Sequence, residues 1–400
     1  MQSDLSFPIS KISFFRFIFW VNALLYGLVY LYPFNESGEP QIPIYFKLIF
    51  DFLLVLFILF IGLKNKTDQV RFYLLVFLVS VVVIGALHIP HTSITDYLHF
   101  SIRNIVFYSI IFYLDIFKKN NINSFHVFHE KVFRVVLYFG VFLFILKLMK
   151  VPNPYGFHSW LWERNRLIST WLNPNSLGFY LFFYLIYNYF KNERINFHFL
   201  LIASSIIITG SLTAIIGVFL FVSYLIFLTL SKKRIKTIYL ISVLIGLPIG
   251  IYFIINLGVF DYFLFKIDVL FVQKTTVHTS VSARVKNLYD LYDYIRLNNI
   301  LSIIFGDFSS NDYTRLDSQY LNLFYNYGLL GFLSYVMFQI SVLWKLYYGK
   351  TFNSKVLFVF CLWLFFIAFN LTAYLYRSNV TIFFFIMLMY TFNLEKKNIK

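Results

Sequence analysis

The sequence predicts an all-α integral membrane protein with about 12 transmembrane helices and two long outward loops, the second containing an amphipathic interfacial helix. Three observations lead there. The first is composition: with 60% hydrophobic and 13% charged residues and a mean hydropathy of +0.72, the chain carries more apolar surface than a water-soluble fold could hide. The second is the recurrence of apolar windows long enough to cross a hydrocarbon core. The third is the distribution of Lys and Arg between alternate connections.

A helix needs about 20 apolar residues to span a bilayer. Windows of that kind fall at 14–32, 44–63, 70–88, 98–117, 131–149, 175–190, 195–209, 213–230, 237–257, 318–344, 354–372 and 378–393. No cleavage site of small residues follows Tyr32, so the first window reads as a retained span rather than a signal peptide. No internal repeat or linker divides the chain, and 1–400 reads as a single polytopic membrane domain.

One set of connections is rich in cations: Lys64, Lys66 and Arg71; Lys118, Lys119 and Lys131; Lys191 and Arg194; Lys232, Lys233, Arg234 and Lys236; Lys345, Lys350 and Lys355; and the tail Lys396, Lys397 and Lys400. These belong on the cytoplasmic side, which also places both termini there. The short connections 33–43, 89–97 and 210–212 hold no Lys or Arg and face outward. Cytoplasmic cations facing anionic headgroups account for most of the net charge of +16, so no nucleic-acid partner is called for.

Two outward connections are long. The first, residues 150–175, has turn-forming Pro and Asn, three Trp suited to the headgroup layer and the group Glu163, Arg164, Arg166; it is expected to lie on the membrane surface. The second, residues 258–317, contains Val285, Leu288, Leu291, Tyr292 and Ile295 at helical spacing, with Arg284, Asn287, Asp290 and Arg296 at other positions. That pattern predicts an amphipathic helix resting in the interface.

Charged residues also occur inside apolar windows. Asp51 and Arg103 suit a structural ion pair, since isolated charges are costly in lipid. His88, His91 and His99 lie near one outward connection, but without Cys or carboxylates at ligand spacing no metal site is expected. The lone Cys361 allows no intramolecular disulfide.

The run RLISTWLNPNSLGFYL, from Arg166 through Asn175 to Gly178, resembles the signature opening the core of the O-antigen polymerase and O-antigen ligase family. Ser282-Ala283-Arg284, followed by the amphipathic stretch and Gly306-Asp307, resembles the family's second signature. Asp317-Ser318-Gln319-Tyr320-Leu321, leading into Tyr327-Gly328-Leu329-Leu330-Gly331, resembles its segment re-entering the membrane. The three occur in the family's order across residues 164–335.

The resemblance implies a membrane glycosyltransferase whose donor is a polyprenyl-diphosphate-linked oligosaccharide and whose product is a longer surface glycan, made on the outer face of the bacterial cytoplasmic (inner) membrane. It implies no cofactor, and a chain-length regulator protein as a further partner. Charge building on the departing diphosphate calls for fixed cations, and the planar fork of arginine matches phosphate oxygens. Arg166 and Arg284 are the first candidates, with Arg164, Arg296 and Arg315 in support. Glu163, Asn175 and Tyr320 complete the candidate binding set. The ligase branch carries a His at the start of the re-entering helix, where this chain has Asp317, and this favours the polymerase branch. Asp317 is the first candidate for general base, with Glu163 and Asp307 as rivals. Each has a plainer role open to it: Asp317 and Asn175 suit helix caps, and Arg164 suits a headgroup anchor. A glycan ligase, a lipid-linked glycan transporter with a broken helix near Pro248, and a structural subunit are the alternative classes.

Overall fold

In a computed structural model of the chain, the residues described are 69–87, 90, 122–153, 162–163, 166–169, 174–231, 280–307, 319–348 and 354–369. Of these, 86% are helical and none lies in a strand. The helices are α1 (Gln69–Leu87), α2 (Ile122–Leu148), α3 (Pro174–Asn192), α4 (Phe197–Ile208), α5 (Leu212–Ser231), α6 (Ser280–Leu297), α7 (Ile300–Phe305), α8 (Gln319–Tyr348) and α9 (Ser354–Phe369). The predicted spans at 14–32, 44–63, 98–117, 237–257 and 378–393 lie outside the described residues.

Two of these helices, α1 and α8, are long and apolar enough to cross a membrane. Large side chains such as Phe72, Val79 and Val83 on α1, and Phe219 and Phe227 on α5, point away from protein. Apolar faces of that kind suit contact with lipid tails. Arg71, counted above with a cytoplasmic connection, instead sits in the first turn of α1 and is buried.

The chain packs as two compact units. One holds the described residues 133–153, 162–163, 166–169, 174–231 and 280–288, with α3 at its centre. From Leu177 to Tyr187 every residue of α3 is buried, the pattern of a helix apolar on all sides. The ring of Phe133 on α2 stacks on Tyr184 at 4.3 Å, and Phe221 of α5 meets Phe182, Tyr189 and Phe190 edge-on. Helix α4 also packs on α3, where the Tyr184 hydroxyl lies 2.6 Å from His198 Nε2. Pro174 occupies the first position of α3, which suits a residue without an N–H. Asn175 therefore lies inside the first turn rather than at the cap expected of it.

The other unit holds the described residues 69–87, 90, 122–132, 289–307, 319–348 and 354–369. Here α8 packs against α1, α7 and α9. The sequence reads 318–344 as one span, but the backbone turns back at Gly328 (φ 63°, ψ −166°). The Tyr320 hydroxyl donates to Gln339 Oε1 at 2.7 Å, although the two residues are 19 apart in sequence. In a straight helix that separation would be about 28 Å. Tyr320 also meets the rings of Phe332 and Tyr335, and Phe324 meets Phe332. Helix α8 is thus a hairpin of two legs, 319–327 and 329–348. The second leg, of about 20 residues, still has the length of a bilayer crossing. It crosses α1 at Ser80 and Ser334, whose hydroxyls are 2.9 Å apart, beside the Phe77–Tyr335 ring contact.

Candidate functional site

In the α3-centred unit the described geometry converges on Arg166. Helix α2 ends in a paired turn: Lys150 N–H donates to Lys147 O and Val151 N–H to Leu146 O, with Lys150 in the left-handed region at φ 54°. This is the double closure of a Schellman cap, and it leaves Lys147 in the last helical turn. Lys147 is buried, and its ammonium donates to Arg166 O at 2.9 Å. The same ammonium lies 5.4 Å from the centre of the Trp162 ring, whose Nε1 donates to Val151 O at 3.2 Å.

Residues 166–169 then pass beneath the end of α4. Leu167 N–H donates to Ile208 O at 3.1 Å, and Arg166 Nε donates to Thr209 O at 2.7 Å. Carbonyls at a helix C-terminus lack intrahelical partners and carry partial negative charge, so a guanidinium placed there is stabilised. On the other side Ser169 Oγ donates to Val136 O at 2.6 Å. All four residues are buried, with Arg166 only 6% exposed. Residues 166–169 of the first loop are thus buried in protein, where their polar groups find carbonyl partners.

In the α8 unit the polar groups gather where the α7 end meets the hairpin. Asn299 caps α7, its side chain accepting from Ser302 N–H at 2.8 Å. Tyr294 of α6 is buried and donates through its hydroxyl to Ser302 O at 2.8 Å. Its ring packs on Tyr325 with centroids 4.4 Å apart. Burial, reinforced by the nearby Asp307 carboxylate and by Tyr325, raises the Tyr294 phenol well above its usual range. After α7 the chain crosses the tip of the short leg, and Asp307 N–H donates to Tyr325 O at 2.9 Å, satisfying a carbonyl at that leg's end. Gly306 (φ 86°, ψ 176°) and Gly328 occupy backbone regions essentially reserved for glycine. A Cβ on Gly306 would stand 2.6 Å from the Asn326 carbonyl, and one on Gly328 would collide with Ile304 O and Gly306 N. The short leg also buries Asn322 and Asn326.

The remaining expected residues fall as follows. Arg284 belongs to α6, of which only the backbone is described at that position, and Arg296 is exposed near the end of the same helix. Glu163 is exposed, and Tyr320 is half-buried with its hydroxyl committed to Gln339. Arg164, Arg315 and Asp317 lie outside the described residues, as do Asp51, Arg103 and the three histidines. In α6 the face turned inward carries Tyr294, whereas Tyr292 and Ile295 of the expected apolar stripe are exposed. Sequence reading missed Lys147, which looks like one more residue of a span; its signal is a cation just before the outward loop that carries Arg166. No family model, no curated protein and no solved structure matches the chain.

Proposed function

We propose that this protein is a polytopic membrane glycosyltransferase of about 12 spans, with both termini cytoplasmic. It extends polyprenyl-diphosphate-linked oligosaccharide repeats into a surface polysaccharide on the outer face of the bacterial inner membrane. The observation that carries this reading is the burial of two cationic side chains: Lys147, in the last turn of α2, and Arg166, in the first outward loop, whose carbonyl the Lys147 ammonium meets. Buried cations in an apolar bundle are costly, and in membrane proteins they mark substrate or ion paths. A diphosphate leaving group is a substrate whose charge repays that cost, and the planar fork of arginine matches phosphate oxygens.

In this reading Arg166 and Arg284 stabilise the departing diphosphate, with Arg164, Arg296 and Arg315 at the headgroup level. Lys147 holds the Arg166 backbone in register. The motif resemblance around residues 166–178, 282–307 and 317–331 supports the same assignment.

The test is surface-glycan length on a gel from cells lacking the gene, complemented by wild type or by Arg166→Ala. A ladder restored by wild type alone, with both proteins equally abundant in membranes, is the expected result. Loss of all glycan from its final acceptor, with long lipid-linked chains accumulating, would identify a ligase instead. An unchanged ladder in the deletion strain would overturn the reading.

A further inference from the structure

The reaction proposed above needs a group that takes the proton of the attacking sugar hydroxyl, and such a group must be held to within about 0.5 Å of its working position. In the α8 unit one described carboxylate meets that demand. Asp307 is partly exposed, so a substrate can reach it, and its backbone is fixed by the bond from its N–H to Tyr325 O. The residue before it, Gly306, is locked against Gly328 by a backbone approach that admits no side chain on either partner. Both glycines adopt positive-φ conformations that glycine takes without strain, so the chain presenting Asp307 follows a course that a residue with a Cβ could not hold. Beside the carboxylate stands the partly exposed Tyr325 ring, backed by Tyr294, whose own hydroxyl is tied to Ser302 O. A braced aromatic ring next to a carboxylate suits a sugar: the ring covers apolar C–H faces and the carboxylate accepts from hydroxyls. By contrast, Asp290 and Glu163 are exposed.

We propose that Asp307 is the general base that deprotonates the acceptor sugar hydroxyl, with Tyr325 as the platform for that sugar; this rests on the polymerase reading. The acceptor oxygen bonds to the anomeric carbon of the donor glycan as the bond from that carbon to the diphosphate oxygen breaks. The electron pair leaves with polyprenyl diphosphate, and the hydroxyl proton moves to the Asp307 carboxylate. No metal or redox partner is needed to balance the step.

The experiment complements the deletion strain with wild type, Asp307→Asn and Asp307→Glu, following ladder length, lipid-linked single repeats and protein abundance in membranes. The expected result is a drop of about a hundredfold or more in elongation for Asp307→Asn at normal abundance. Lipid-linked single repeats should accumulate, and Asp307→Glu should restore part of the ladder. If Asp307→Asn fails to accumulate, Asp307→Ser is read in its place. A normal ladder in the Asn or Ser variant overturns the assignment of Asp307 while leaving the polymerase reading intact. Full elongation in those variants together with its loss in Asp317→Asn would move the base to Asp317. Failure of wild type to restore any ladder overturns the polymerase reading itself, and this assignment with it.

Discussion

The two units hold their polar segments by opposite means. Around Arg166 the work is done by side chains: a guanidinium on a helix-end carbonyl, an ammonium on the Arg166 carbonyl and a serine hydroxyl on Val136 O. Around Gly328 it is done by backbone, with the α7 exit laid across the tip of the short leg so closely that no Cβ fits. The first arrangement can lose one bond and keep its shape, because the others remain. The second has no redundancy, since a side chain at either glycine forces two backbones apart. Substitutions in the two regions should therefore differ in kind: graded loss of function around Arg166, and loss of the folded hairpin around Gly328.

The largest effect is expected at the glycines. Gly328→Ala combines a conformation that costs about 1–3 kcal/mol for a residue with a Cβ and an overpacking penalty of similar size. Its total should fall on the order of 3–5 kcal/mol. Membrane abundance and thermal aggregation of the detergent-solubilised protein would report it, and a Gly328→Ala variant as stable as wild type would refute the backbone crossing.

Arg166→Ala comes next. Removing the charge-assisted bond to Thr209 O should cost about 1.5–3 kcal/mol of stability. Arg166→Lys keeps the cation but loses the fork, so it should recover more stability than glycan elongation. Equal recovery of both would mean that the arginine serves only as a helix-end cation.

These contrasts also explain what could be read without coordinates. Helices α3, α4 and α5 fall within about two residues of their apolar windows, because side-chain hydropathy reports a helix that is buried or faces lipid along its whole length. The reversal inside α8 escaped the hydropathy window, since both legs are apolar and a window records composition rather than direction. Its trace is Gly328-Leu329-Leu330-Gly331 within an otherwise good helix former, and Gly331 is needed because a Cβ there would strike the Tyr327 side chain. At the candidate site, the motif drew attention to Arg166 without indicating its burial, because that depends on which distant carbonyls lack partners, and Thr209 lies 43 residues away.

A smaller effect tests the hairpin from its side chains. Tyr320→Phe removes the donor to Gln339 Oε1, and Gln339 Nε2 already lacks a hydrogen-bond partner among the described residues. A buried amide left with neither end satisfied costs about 1–3 kcal/mol, whereas replacing both partners by apolar groups is close to neutral. The double variant Tyr320→Phe/Gln339→Leu should thus be more stable than Tyr320→Phe alone. Additive losses in that cycle would mean that the two legs do not meet.

The smallest effect is expected where α1 crosses the long leg. Ser80 and Ser334 lie hydroxyl to hydroxyl, and each also lies within reach of a carbonyl of its own helix, Phe77 O and Gly331 O. With one proton apiece, one serine donates across while the other donates to its own helix, and either can turn back to its own carbonyl when the partner is lost. Ser80→Ala should cost only about 0.6 kcal/mol, the average for interhelical hydrogen bonds between membrane helices. Ser80→Leu should cost several times more, because the close approach of the two helices depends on small side chains at the crossing. Thermal stability of the three proteins in one detergent would separate the contributions. An alanine variant as damaged as the leucine variant would assign the crossing to the hydroxyl bond, and the present geometry assigns it to the space.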